Sequence, residues 1–327
     1  MQYNQVMSFN PLKQSILRTL AYFDLADFPL TKEELFAFLW LPPWVDYDDF
    51  SMSLRGDPPG RGDEAIPPCS EKFGYFFLPN RQDIVESRRR RLLISEVKMK
   101  IAERAIKKIR AIPFLKAVFV CNSVGSYQAA EESDIDFFIV AAPGRIWLVR
   151  FFTNLILRLC GLRTYGEKIK NRICLSFFVD TKNLNLSPFR IADDDIHFAY
   201  WLHQMAPLYD PESLYEKFIN VNNWTEKYLP NINSLPHADY LKKIQDSRLG
   251  NLWKEVWEKM WGGAYGDLLE KQARAWQVMK MKLSLKEKAE KGDNGVVLGD
   301  GVIKLHENDA RSNFRVRWTT ALHNFLI

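Results

Sequence analysis

The segment VFVCNSVGSYQAAEESDIDFFIVA, Val118–Ala141, joins two apolar runs through a bend of small residues and sets two acids at the start of the second run. Ala117–Val120 and Ile135–Ala141 read as short apolar strands. Asp134 and Asp136 flank Ile135. Side chains alternate along a strand, so residues i and i+2 share a face, and both carboxylates project together while Ile135 enters the core. Two ionised carboxylates side by side repel and need a compensating cation. Hard oxygen ligands suit Mg2+ or Mn2+, and such ions also bridge phosphate oxygens, activate an attacking hydroxyl and stabilise a leaving pyrophosphate. An Asp-x-Asp alone more often marks a turn or a strand edge. The apolar strand Phe137–Val140 behind this pair, and the strand Ala117–Val120 before it, favour a functional site.

The surrounding pattern alternates. Ile135–Ala141 and Ile173–Val179 read as strands, with an amphipathic helix from about Ile146 to Leu159 between them, an α/β unit. Upstream, residues 12–25 carry apolar side chains at helical spacing, and Thr31-Lys32-Glu33-Glu34 reads as a capping box opening a second helix through Trp40. A weak third helix over Asp48–Arg55, a Pro/Gly/Asp-rich loop over Gly56–Pro68 and the aromatic strand Gly74–Arg81 complete a winged-helix-like layout for residues 1–80. Residues 82–111 read as one long helix, with Leu92, Leu93, Val97, Ile101, Ala105 and Ile109 buried beneath a solvated cationic face. The run Arg88, Arg89, Arg90 and Arg91 is dense enough to leave phosphate contact, and hence nucleic acid as a partner, open.

Beyond Asp193 the chain reads as mainly helical, with a mobile Lys/Glu-rich then Gly/Asp-rich linker over 284–301 and a terminal helix from Arg311. Asp193-Asp194-Asp195 reads as a helix cap rather than a metal site, and His306 as loop chemistry. The expected division is 1–80, 81–232 and a helical 233–327.

A length of 327 residues calls for more than one core. The net charge of +5 permits a nucleotide or nucleic-acid partner without requiring one. Cys69, Cys121, Cys160 and Cys174 show no zinc spacing. Cys121 and Cys174 fall in apolar runs, where cysteine acts as a small hydrophobe, and a reducing cytoplasm fits them. Neither a signal peptide over Met1–Leu12 nor a clean membrane span is evident, since Arg150 and Arg158 interrupt Ile146–Leu162. No membrane partner is therefore expected. No Walker loop, GxSxG or dinucleotide fingerprint occurs.

A strand, a small-residue turn with serine, a spacer of about ten residues, and then Ser-Asp-Ile-Asp-Phe resembles the polymerase-beta-type nucleotidyltransferase superfamily, over Pro113–Asp180. That family carries Gly-Ser before the spacer, and its serine and nearby backbone N–H groups hold the nucleotide's β- and γ-phosphates. Asn122-Ser123 keeps the family spacing but replaces glycine with asparagine, which tolerates a left-handed backbone. Gly125-Ser126 keeps the dipeptide with a short spacer, one turn later and still near the phosphates. The resemblance implies an α+β fold: a small mixed sheet of nucleotidyltransferase type with a winged-helix-like N-terminus and a helical C-terminal region. It implies a metal-dependent transferase moving a nucleotidyl group from a nucleoside triphosphate to an acceptor. Asp134 and Asp136 would hold Mg2+ or Mn2+, and Asn122, Ser123, Gly125, Ser126 and Ser133 would hold the nucleotide. Asp180 is the candidate third acid, although Cys174 and Ser176 occupy places where the family often has it. The alternative is a catalytically impaired nucleotide- or nucleic-acid-binding regulatory module. GYFFLPNR, WLHQMAPLYD and NNWTEKYLPN add a similarity to bacterial proteins that join a winged-helix-like segment to such a domain.

Overall fold

The computed structural model describes residues 10–55, 69–234, 243–281, 283–290, 295–305 and 309–326. The start of Met1–Leu12, the Gly56–Pro68 loop and His306 lie outside the described residues.

The chain opens with α1 (Pro11–Asp24), β1 (Leu30–Thr31), α2 (Lys32–Ala37), α3 (Tyr47–Arg55), β2 (Ser70–Lys72) and β3 (Tyr75–Phe77). The three strands pair in the order β1-β3-β2, all antiparallel. The capping box forms as expected: Glu34 N donates to Thr31 Oγ1 at 3.2 Å and Thr31 N to Glu34 Oε2 at 2.9 Å. Satisfying two orphan donors at once fixes the start of α2 and aims Leu35 and Phe36 inward.

Then come α4 (Ile84–Ile109), β4 (Leu115–Cys121), α5 (Asn122–Gly125), β5 (Ile135–Ala141), α6 (Ile146–Leu159), β6 (Ile173–Asp180), α7 (Ile196–His203), β7 (Ala206–Tyr209) and α8 (Leu214–Val221). The chain continues through α9 (Arg248–Met260), α10 (Ala264–Met279), α11 (Leu283–Glu290), β8 (Val296–Leu298), β9 (Val302–Leu305) and α12 (Arg311–Leu326). A mixed six-stranded sheet runs β7-β4-β5-β6-β9-β8. β5 and β6 are parallel, joined by the α6 crossover, and every other pairing is antiparallel. The fold is α+β.

Both faces of this sheet are covered, which explains its unbroken apolar runs. Ile135, Phe137 and Ile139 pack with α4 and α6 on one face, and Phe138 and Val140 pack with α7 and α8 on the other. Asp136, whose neighbours Ile135 and Phe137 both enter the first face, belongs to the second. A second core joins α1 and α2 to Ala199 and Tyr200 of α7, Leu229, and Trp318 of α12. The expected division at residue 80 is therefore packed across, not open.

Three readings change. The C-terminal region is not purely helical, because β8 and β9 extend the main sheet. Where a mobile linker was expected over 284–301, α11 and a hairpin stand; residues 291–294 lie outside the described residues. The Gly299-Asp300-Gly301 turn links Val296–Leu298 to Val302–Leu305, and Gly299 N donates to Val302 O at 2.8 Å. On α4, Leu93 and Val97 are exposed (64% and 56%), while Arg88 and Lys98 are buried. Arg88 pairs with Glu34 at 2.7 Å and stacks on Phe28 at 3.5 Å. Arg91 donates to Ala26 O at 2.6 Å. Two of the four clustered arginines thus tie α4 to the N-terminal unit. Only Arg89 and Arg90 remain exposed, half the cationic run on which nucleic-acid contact was considered.

Candidate metal and nucleotide site

Parallel β5 and β6 beside antiparallel β4 bring one end of each strand to the same sheet edge. The pairing register sets Cys121 opposite Asp136, and Asp136 opposite Cys174, in a single row. Asp134 immediately precedes β5 on the face of Asp136. Oxygen atoms of Asp134 and Asp136 and the sulfur of Cys174 all lie within 4.8 Å of one another, each residue half-buried. The acid pair expected from i, i+2 spacing therefore forms, with Cys174 as its third member.

Burial first, and the neighbouring Asp134 second, push the Asp136 carboxyl up to about 6. Hydrogen bonds from Asn122, Cys174 and Ser176 oppose that rise. The Ser176 hydroxyl donates to Asp136 Oδ1 at 3.4 Å. Burial, then the charges of Asp136 and Asp134, push the Cys174 thiol far above its ordinary range. Cys174 thus stands beside the acids as a neutral thiol, not merely as the small hydrophobe its apolar run suggested, whereas Cys121 is fully buried as expected. All four cysteines are free.

The bend at the end of β4 carries the substituted glycine. Asn122 has φ +55°, the left-handed backbone that asparagine was expected to tolerate there. Its Oδ1 accepts from Trp201 Nε1 at 2.7 Å, so its amide nitrogen is left to serve Asp136. Ser123 follows, half-buried.

Gly125 and Ser126 do not join this edge. A Cβ on Gly125 would lie 2.5 Å from Val120 O and 3.0 Å from Gln204 O, so close backbone packing explains the glycine. Ser126 turns its hydroxyl back to Asn122 O at 3.0 Å. Both line a separate cavity of about 930 Å³ between the N-terminal unit and the sheet. Ser133 turns its hydroxyl to Ala130 O at 3.0 Å, a local turn contact.

Asp180 is at the wrong end. It pairs with Ala141, five residues along β5 from Asp136, or about 16 Å at the rise of a strand. There it accepts from Lys182 N at 2.9 Å and Asn183 Nδ2 at 2.8 Å, holding the turn after β6. Parallel pairing of β5 and β6 makes this unavoidable: a residue ending β6 cannot meet one beginning β5. Cys174 and Ser176, not Asp180, are the β6 residues that stand beside Asp136. The Asp193–Asp195 run is a cap, as expected. Asp195 accepts from Phe198 N at 3.2 Å and Arg311 NH1 at 3.0 Å, and Asp194 pairs with Arg315 at 2.7 Å.

Two cations that no motif marks support the acids. Lys98, 1% exposed, donates from Nζ to Glu131 O (3.0 Å), Ser133 O (2.7 Å) and Asn171 Oδ1 (2.9 Å). It pins the loop that delivers Asp134. Burial and then Lys170 lower its pKa, while the charge of Asp134 opposes them. Arg163, lowered by burial, is held upward by the charges of Asp134 and Asp136. It donates to Asn154 Oδ1 and Ile173 O, both at 2.9 Å.

Beside Asn122 opens a cleft of about 240 Å³, lined also by Phe177, Phe198, Trp201, Lys304 and Arg311. Phe198 and Trp201 stack at 5.6 Å. Lys304 pairs with Asp309 at 3.2 Å, and Arg311 with both Asp309 and Asp195. Asp309 lines the cleft as well, so both cations are already paired and what the cleft offers beside Asn122 is chiefly the aromatic faces of Phe177, Phe198 and Trp201, suited to a flat ring. Two adjacent carboxylates fit a hard divalent cation. The protonated thiol adds little to a magnesium shell but can be drawn in by a softer ion. Among the described residues, no helix is long and apolar enough to cross a membrane. No family model, no curated protein and no solved structure matches the chain.

Proposed function

We propose that the chain is a metal-dependent nucleotidyltransferase of the polymerase-beta type, moving a nucleotidyl group from a nucleoside triphosphate to an acceptor oxygen. The observation that carries this reading is the convergence of Asp134, Asp136 and Cys174 within 4.8 Å at one end of the inner strands of the sheet, next to the left-handed bend at Asn122. Asp134 and Asp136 hold the Mg2+ or Mn2+ that neutralises the triphosphate. Asn122 orients Asp136, and Ser123 contacts phosphate. The cleft lined by Phe177, Phe198 and Trp201 receives the rest of the nucleotide. Transfers of this kind ask little covalent chemistry of the protein: positioning and charge neutralisation supply the rate.

One observation favours the impaired alternative. The place of the third acid holds a thiol and a hydroxyl, with Asp180 at the far end of the sheet, so among the described residues no third carboxylate joins the metal-binding pair to serve as the acceptor's base. A single experiment separates the two readings. The purified chain is incubated with each α-labelled nucleoside triphosphate, Mg2+ or Mn2+, and a panel of RNA, protein and small alcohol acceptors. Pyrophosphate release with label on an acceptor supports transfer. Saturable metal-dependent nucleotide binding without label transfer supports the regulatory module, and no binding at all contradicts both.

A further inference from the structure

Helix α9 is mounted with its polar face inward, and α10 meets the body through polar contacts as well as through Ala273 and Val278. Among the described residues of α9, Lys254 is the one that is buried. Its Nζ donates to Leu115 O at 2.8 Å and to Tyr209 Oη at 3.0 Å. One turn on, Glu258 accepts from Phe114 N at 2.6 Å. On α10, Asp267 pairs with Arg145 at 2.7 Å, Glu270 accepts from Trp147 N at 2.7 Å, and Gln277 Nε2 donates to Trp147 O at 2.8 Å.

The side of α9 opposite Lys254 is apolar and turned outward. Leu249, Leu252, Trp253, Val256 and Met260 recur at i, i+3, i+4, i+7 and i+11 on one side of α9, between 48% and 81% exposed. Leu268 and Met279 continue the exposure on α10. A surface helix of a globular protein does the reverse, and an apolar stripe of this size marks an interaction face.

Charge identifies the occupant. Glu258 and Glu270 are spent on inward contacts and Asp267, though exposed, is paired with Arg145, while Arg248, Lys259, Lys271 and Lys280 are exposed. Arg274 is exposed too but pairs with Asp300 at 3.2 Å, and Glu255 is an exposed acid. A second copy meeting the same face about a two-fold axis would set these cations against one another. A nucleic-acid strand would meet the cations and leave Leu249, Leu252, Val256 and Met260 in water. Neither cavity described above reaches the stripe, and the outer side of a helix is a ridge, which a fluid bilayer accommodates without a matching groove.

We propose that this face docks on an anionic phospholipid surface. The α9 stripe enters the boundary between headgroups and acyl chains, Trp253 sits at headgroup level, and the flanking cations meet lipid phosphates. The expectation of no membrane partner rested on the lack of a segment able to span one. Lying on a bilayer requires only this outward stripe.

The test is flotation of the whole chain with vesicles of phosphatidylcholine alone or with added phosphatidylserine. The chain is expected to float with phosphatidylserine vesicles, less so at raised salt, and not with phosphatidylcholine alone. Leu252→Glu combined with Val256→Glu is expected to reduce partitioning about tenfold or more, with an unchanged circular dichroism spectrum because both side chains are exposed. Lys259→Glu with Lys271→Glu is expected to weaken binding without touching the stripe. Absence of flotation, equal flotation of the Leu252/Val256 variant, or a concentration-dependent dimer that this variant dissociates would each overturn the proposal.

Discussion

Asp136→Asn is expected to reduce nucleotidyl transfer at least about a thousandfold, the several kcal/mol that charge neutralisation by a bound metal supplies, while making the ligand-free protein harder to unfold at pH 8. Activity falls because one of the two carboxylates that hold the metal is gone. Stability rises because the native site holds Asp136 at a cost. Burial and Asp134 lift its carboxyl to about 6, against about 3.9 in an unfolded chain. Between those values the native state binds more protons than the unfolded one, so stability declines as pH rises through that window and stays lower above it. The amide removes the charge and keeps the shape, recovering up to about 2–3 kcal/mol above pH 7. The same amide leaves stability nearly unchanged below pH 4, where the carboxyl is protonated in both states. Urea unfolding at pH 4 and pH 8, with the transfer assay at pH 8, checks both halves. A variant less stable than wild type at pH 8 would show that Asp136 is a structural carboxylate rather than one held at a cost for a cation.

Lys98→Met carries the second large effect, a loss of about 3 kcal/mol in unfolding free energy. The side chains match in length and apolar bulk, so no cavity opens. What is lost is an ammonium serving Glu131 O, Ser133 O and Asn171 Oδ1 at once. A buried acceptor left without a donor costs about 1–3 kcal/mol, and relaxation of the loop recovers part of the sum. Because that loop delivers Asp134, metal affinity is expected to fall as well. Lys100→Met, on the exposed side of α4, is the control and should be neutral. Urea denaturation of the two variants decides it: equal midpoints would mean that Lys98 does not hold the loop.

Much of the arrangement was legible because it depends on local chemistry. The runs Ala117–Val120 and Ile135–Ala141 read as apolar strands, and i, i+2 spacing alone puts Asp134 and Asp136 on one face. The box at Thr31 and Glu34 announces its helix. What escaped depended on how distant strands pair. Asp180 and Cys174 lie on one strand, and only the parallel register of β6 against β5 decides which end meets the acids. A crossover helix between two apolar strands signals that parallel pairing, so the register could have been argued from Ile146–Leu159.

The Gly299-Asp300-Gly301 turn, flanked by Val296-Val297-Leu298 and Val302-Ile303, is a hairpin signal that the polar composition of its surroundings obscured. Lys98 and Arg88 were hidden differently. Each lies in a helix crowded with exposed cations, and nothing in their own neighbourhood distinguishes a lysine that anchors a loop from one that meets water. The inward polar face of α9 defeats periodicity in the same way: spacing identifies an amphipathic helix but not which side meets the body.

The claim on which the rest depends is that Asp134 and Asp136 jointly hold a divalent cation together with a triphosphate. The most direct measurement is the electron paramagnetic resonance signal of free Mn2+, titrated with protein in the presence of a non-hydrolysable nucleoside triphosphate analogue. Wild type is predicted to deplete that signal beyond what the analogue alone does, and the Asp134→Asn/Asp136→Asn double variant, folded by circular dichroism, is predicted not to. Identical titrations for the two proteins would contradict the account.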